Sequence, residues 1–334
     1  MTRYFIRLFT WTASNIALGL ACLASLSAGS TASAQGYPDK TIRLIVPYGT
    51  GGGVDVVART VADYISNKMG KTVVVENRAG AGGNVGSGFV VKSEPDGYTL
   101  LVASNSNAVN NSLYNNMAYD AAKDLTPITL IATVPMVLLV SPTIAPKTAN
   151  EVLALARAKP GTLNVGSGGS GTGEHLAFEM FKRQNNIDAQ HVPYRGGTAV
   201  YTDLMGGQIQ LFFNNQLGAS PYIRSGQIKA VGITGDQRSP QFPDLPTFAE
   251  QGFKDFKAFV WWGIMGPAGI APERLTEINK LFTTAIQSPE VRARLESLGA
   301  RPAGSSAAEF SSFFKNEIAV WSSLIKDAKI QLTE

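Results

Sequence analysis

One order of elements occurs twice along this chain, and that repetition limits the fold more than any other feature. An apolar run at residues 42–46 ends at Pro47, as buried strands do. Gly49 to Gly53 follow, and then Val54, Val57, Ala58, Val61 and Ile65 recur at helical spacing. A second strand pattern (72–75) leads into Arg78-Ala79-Gly80-Ala81-Gly82-Gly83 and a helix to about Lys92. A third (98–102) runs into Ala103-Ser104-Asn105-Ser106-Asn107. The same plan recurs later. Residues 162–165, the loop 166–173 and a helix from Glu174 come first, then 189–192, the loop 193–197 and a helix to about Met205. Residues 210–213 close the set and end in Asn214-Asn215. Strands alternating with helices at this spacing predict α/β architecture with parallel sheets and right-handed crossovers. Two copies predict two Rossmann-like lobes, each with its own sheet and with loops at the carboxyl ends of its strands, where open α/β sheets bind ligands.

The intervening segments fit that plan. Thr148 and Glu151 read as a capping box, as do Ser306 and Glu309. Residues 130–140 form a long apolar crossover strand, and 259–264 a return crossing. Three helices follow, two of them opened by Pro272 and Pro289, where a missing amide proton costs nothing. The expected lobes are residues 35–137 with 256–334, and residues 138–255.

Ahead of the repeat lie Arg3 and Arg7, an apolar stretch near 16–26 and Ala32-Ser33-Ala34. This is the layout of a cleaved secretory signal, with cleavage after Ala34. Its removal takes away the one Cys and two of the charges behind the net +4. No disulfide framework or Cys-cluster metal site is therefore expected, and two His leave no His-rich one. The small charge argues against nucleic acid as a partner. Gly166-Ser167-Gly168-Gly169-Ser170-Gly171 matches a dinucleotide fingerprint, with Asp188 beyond it, but the companion loop at 49–53 does not match. Neither GxSxG nor HExxH occurs. A nucleotide-binding or hydrolytic enzyme remains the distant alternative. No cofactor and no catalytic residues are expected.

Glycine loops ahead of helices can hold an anion, because helix starts present unpaired amides and partial positive charge. Candidate contacts are Tyr48, Thr50, Gly51 and Gly52 in one half, and Gly169, Ser170, Gly171 and Thr172 in the other. Asp55 either complements the helix dipole or meets a ligand amine or a water. Arg195 is either a surface charge or the partner of a second carboxylate. Ser106, Asn107 and Asn214 sit at strand ends, and His175 is a capping group or a ligand contact. Either Trp261 or Trp262 faces the cleft, or both pack in the core or at the hinge.

Several segments together resemble one family. Ile45-Val46-Pro47-Tyr48, Gly51-Gly52-Gly53-Val54-Asp55, Val74 through Asn84 and Pro95-Asp96-Gly97-Tyr98 carry the likeness. His191-Val192-Pro193-Tyr194-Arg195-Gly196 and Asp244-Leu245-Pro246-Thr247 extend it. They resemble the Bug receptors, the periplasmic substrate-binding proteins of tripartite tricarboxylate transporters. The resemblance implies a monomeric, non-enzymatic periplasmic protein of Venus-flytrap form that closes on a small organic carboxylate. It also implies delivery to the transporter's membrane components, or alternatively a sensory role. In that family one carboxylate is held by the loops matching Tyr48 to Asp55 and Gly169 to Thr172. Many relatives carry an acid where Asn214 stands, so a dicarboxylate or aromatic carboxylate is expected here rather than an amino acid.

Overall fold

The computed structural model describes residues 36–114, 116–194 and 197–330. The expected signal segment, Arg195 and Gly196 lie outside them. The chain divides after Asp39, and the unit Lys40–Glu334 carries the architecture that follows.

In its first half, strands β1 (Ile42–Val46), β2 (Val73–Asn77) and β3 (Thr99–Ser104) pair in parallel with β1 central. Helix α1 (Gly53–Met69) joins β1 to β2 and buries Val57, Ala58, Val61, Ala62 and Ile65 on one face. It stops at Gly70, whose left-handed φ of 65° lets its N–H reach the Ile65 carbonyl. Helix α2 (Asn84–Val91) precedes β3, and α3 (Asn105–Leu113) follows it directly. The 105–107 segment, expected as a strand end, is thus the first turn of a helix: Ser104 caps it, and the Ser104 N–H donates to the Asn107 side chain at 3.0 Å.

A one-turn helix α4 (Ala121–Asp124) leads into β4 (Leu125–Val140), which ties the halves together. Residues 125–135 pair with β9 (Phe259–Pro267), and 136–140 lie between β7 (Leu211–Asn215) and β8 (Lys229–Ile233). In the second half, α5 (Ala149–Ala158) and β5 (Asn164–Ser167) are followed by α6 (Gly173–Asn185), β6 (Gln190–Pro193), α7 (Gly197–Gly206) and, after β7, α8 (Gln216–Arg224). β5 pairs in parallel with β6 and β7. Strand order along the main path is β2-β1-β3-β9-β4-β7-β5-β6. The two expected parallel sets therefore exist, but antiparallel β4 and β9 join them into one continuous sheet instead of two separate ones.

Three helices complete the chain: α9 (Pro272–Gln287), α10 (Pro289–Ser297) and α11 (Ala307–Ala328), with the short strand β10 (Arg301–Pro302) before the last. Both prolines sit at helix starts, and the Ser306–Glu309 capping box is formed. Thr148 likewise caps α5 by accepting from the Glu151 N–H. The crossings are fastened by Thr234. Its buried hydroxyl accepts from the Met136 N–H at 2.8 Å and donates to the Ala258 carbonyl at 2.5 Å.

Candidate functional site

The loop after β1 places Tyr48 against the start of α3. Its hydroxyl lies 2.9 Å from Ser104 Oγ and 2.5 Å from Ser106 Oγ, and the two serines are 3.2 Å apart. Burial pushes the Tyr48 pKa up, so the phenol stays protonated and able to donate. Three mutually bonded hydroxyls thus stand at the amino end of a nine-residue helix, where the partial charge is positive. Asn105 beside them fixes the return strand. Its amide donates to the Phe259 carbonyl, and its oxygen accepts from the Trp261 N–H, each at 3.0 Å.

The matching loop of the second half is built around a glycine and a histidine. The Gly171 N–H donates to His175 Nδ1 at 3.0 Å, which leaves that nitrogen unprotonated. The imidazole stacks on His191 at 3.6 Å, with the rings within 5° of parallel. His191 Nε2 lies 2.6 Å from Ser167 Oγ, and that hydroxyl donates to the Gly169 carbonyl. Burial, then the neighbouring His191 and Lys182, push His175 down to about 3; burial and Lys182 push His191 down to about 4. Both rings are therefore neutral supports beneath the loop.

Between these walls is a cavity of about 300 Å³. The first half lines it with Tyr48, Val54, Gly82, Ser104, Asn105, Ser106, Val109, Asn110, Leu113, Tyr114, Val260 and Trp262. The second half contributes Ser170, Gly171, Thr172, Gly173, Glu174 and Leu176. Apolar and hydroxyl side chains dominate, and among the described lining residues no Lys, Arg or His appears. Glu174 is the lone carboxylic acid of that set, and burial pushes its pKa up. A larger groove of about 740 Å³, lined by residues such as Ile144, Leu155 and Gln210, receives nothing from the first half. Its setting is a surface fold between α5 and neighbouring loops, not a meeting of two walls.

The cavity gathers five of the candidate residues: Tyr48, Ser106, Ser170, Gly171 and Thr172. Thr50, Gly51 and Gly52 are exposed outside it. Asp55 is buried and serves its own loop, accepting from the Gly51 N–H, Arg59 and Asn77 at 2.9–3.0 Å. Burial alone would raise its pKa, but those bonds hold it down at about 2. Asn107 is spent on the α3 cap and on Ser87 Oγ. His175 supports Gly171 from behind, Gly169 is not among the lining residues, and the Asn214 amide donates to the Tyr201 hydroxyl at 2.7 Å. Of the two tryptophans, Trp262 lines the cavity, while Trp261 is fully buried and donates to Glu317 at 2.8 Å. Sequence reasoning did not single out Asn110, Leu113 and Tyr114 of α3 and its exit. Their signal was an amphipathic run after Ser104, hidden because the Asn/Ser-rich segment reads as a polar strand end.

The family model described as the tripartite tricarboxylate transporter family receptor (TctC) matches residues 57–330. The chain belongs to this family. It is 33% identical to BugT of Bordetella pertussis over 312 residues, covering 93% of this chain and 96% of that protein. R. palustris Rpa4515, solved with adipate, superposes with a TM-score of 0.77 at 31% identity, over 89% of this chain and all of that one. The periplasmic binding protein BugD gives 0.73 at 30% identity, over 88% of this chain and 100% of its own. The fold is thus that of a TctC/Bug periplasmic binding protein, and the family is one of solute receptors, not enzymes.

Proposed function

We propose that this receptor captures a small organic carboxylate in the cavity between its two halves and hands it to the membrane components of a tripartite tricarboxylate-type transporter. The observation that carries the reading is the cavity itself. It is walled from both halves, has hydroxyl donors and two helix starts at its polar parts, and has apolar surface from Val54, Leu176 and Trp262 for a hydrocarbon body. The carboxylate is received by Tyr48, Ser104 and Ser106 at the start of α3, and the Ser170–Gly173 turn closes over the ligand from the other side. Of the two ligand classes expected from sequence, the apolar wall suits an aromatic carboxylate as well as a dicarboxylate. A relative solved with adipate supports the general class.

The halves act as lobes: residues 35–137 with 256–334, and 138–255. They close by bending where β4 and β9 cross, and the ligand adds contacts that exist in the closed form alone. Gly53 shows how near the walls come. A Cβ there would lie 3.1 Å from the Trp262 ring and 3.5 Å from Leu217 of α8. Export to the periplasm with cleavage after Ala34 and a monomeric state complete the proposal.

The test is a thermal-shift screen of the mature protein against mono-, di- and tricarboxylates, aromatic acids and acidic amino acids, with calorimetry on the hits. The expected result is a stabilising carboxylate whose binding is lost in the double variant Tyr48→Phe, Ser106→Ala. A stabilising solute without a carboxylate, or no stabilising solute at all, contradicts the reading. Uptake of the hit by cells lacking this protein should fall, and undiminished uptake would remove the transporter role.

A further inference from the structure

The two walls of the cavity are chemically unequal. The first-half wall offers the Tyr48, Ser104 and Ser106 hydroxyls at a helix start, with no acid among them. The second-half wall carries Glu174, on the first turn of α6. One turn further along α6, Glu179 faces Lys182 at 3.6 Å. Glu174 has no such ion pair among the described residues, and the neighbouring Thr172 hydroxyl donates to the Gly169 carbonyl at 2.7 Å. A carboxylate has about four acceptor positions, so Glu174 keeps acceptor capacity on the cavity side.

We propose that Glu174 determines which carboxylates the cavity accepts. With the ligand carboxylate on the Tyr48–Ser104–Ser106 hydroxyls, Glu174 meets the distal end and favours a hydrogen-bond donor or a cation there over a second carboxylate. The inference rests on the carboxylate-binding reading and departs from the sequence expectation by disfavouring a dicarboxylate and admitting a distal ammonium. Burial already pushes the Glu174 pKa up, so a second carboxylate enters this shared, poorly hydrated site only if the pair takes up a proton, which costs affinity at neutral pH. The described lining residues supply no cation to offset the two acids. A distal ammonium would instead hold Glu174 ionised against the upward push of burial and donate to it, the stronger kind of hydrogen bond, while a distal hydroxyl or amide donates to its open acceptor positions. A plain apolar end is tolerated, since Leu176 and Trp262 line the same space. Glu174 is a positioning and selecting group, outside the anchoring hydroxyls, so its loss should rearrange preference and leave binding in place.

Two matched ligand series test this by calorimetry: hexanoate, adipate and 6-aminohexanoate; benzoate, terephthalate and 4-(aminomethyl)benzoate. The unmodified protein should bind the diacid of whichever series fits at least tenfold more weakly than its monoacid or amino-acid counterpart, about 1.4 kcal/mol. In Glu174→Gln the diacid should gain tenfold or more, the amino acid should lose as much, and the monoacid should stay within about threefold. Diacid-first binding by the unmodified protein overturns the assignment without any variant, as it would if Arg195 answered a second carboxylate. So does a Glu174→Gln protein whose three affinities shift together or not at all, its folding checked by the thermal transition. Failure of both series with both proteins falls instead on the carboxylate-binding reading, and takes this inference with it.

Discussion

Two loops of this receptor are braced in the same way with opposite chemistry. In the first half the Gly51 N–H donates to Asp55, four residues on, at 2.9 Å; in the second the Gly171 N–H donates to His175, again four residues on, at 3.0 Å. Both glycines adopt left-handed backbone, with φ of 83° and 77°. Each brace comes from the first turn of the following helix. The Asp55 brace is ionic and tied to Arg59 and Asn77, whereas the His175 brace is a neutral ring stacked on a second neutral ring. The loop with the neutral brace lines the cavity, while Gly51 lies exposed outside it. Neutral imidazole supplies the same geometry as a carboxylate without adding charge to the brace of a wall whose lining already carries Glu174.

Substitutions that strain both loops equally should separate them in function, and this is the largest effect expected. Gly171→Val and Gly51→Val each force a β-branched residue into left-handed backbone, costing on the order of 1–3 kcal/mol of stability. Calorimetry with the best carboxylate from the screen should show roughly a hundredfold or greater loss for Gly171→Val. Gly51→Val should stay within about fivefold. Equal losses would put both loops on the ligand and end the distinction.

Next comes the brace itself. Asp55→Asn removes charge from a buried acceptor of three donors and should cost about 2 kcal/mol of unfolding free energy, read by chemical denaturation. His175→Gln should cost less stability but weaken ligand binding, which Asp55→Asn should not do.

Acid should remove the two braces in sequence. His175 and His191 have folded-state values of about 3 and about 4, below the ordinary 6.5, so unfolding takes up protons. Their contribution is complete above pH 6.5 and declines as pH falls toward 4, with a limiting slope of about 1.4 kcal/mol per pH unit for each ring. Asp55, held at about 2, keeps its contribution until pH drops through about 4 toward 2. Stability measured against pH should therefore fall in two stages. His191→Gln should shrink the first stage alone, and Asp55→Asn the second. The smallest effect is reserved for the anchoring hydroxyls taken singly. Ser106→Ala should lower affinity three- to tenfold, because Tyr48 and Ser104 retain their mutual bond.

Much of this was legible in the sequence for physical reasons that act locally. The α1 stripe, the capping box at Ser306 and the prolines opening α9 and α10 are written in neighbouring residues, and the structure realises them; at Thr148 the cap forms without the reciprocal bond, because the Glu151 side chain accepts from the Lys147 N–H instead. The glycine loops were also visible, because a left-handed turn ahead of a helix leaves few other residue choices. What could not be read was partnership across distance. Asp55 and Gly51 are four residues apart, but Asn77, which completes the brace, is on another strand. Asn107 resembled a strand-end donor and is consumed by Ser104 and Ser87. Adjacent tryptophans point to opposite sides of β9, and only the position of α11, with Glu317, fixes which one turns inward. Glu174 read as an ordinary first-turn acid, and its meaning depends on a wall contributed by the other half.

The most direct test of the central claim, capture of a carboxylate between the two halves, is a crystal structure with the tightest-binding carboxylate from the screen. The carboxylate oxygens should lie within hydrogen-bond distance of the Tyr48 and Ser106 hydroxyls, with the ligand body against Trp262 and Leu176 and the Ser170–Gly173 turn over it. A carboxylate found in the groove beside Ile144, Leu155 and Gln210, or one held by residues of a single half, would contradict the account.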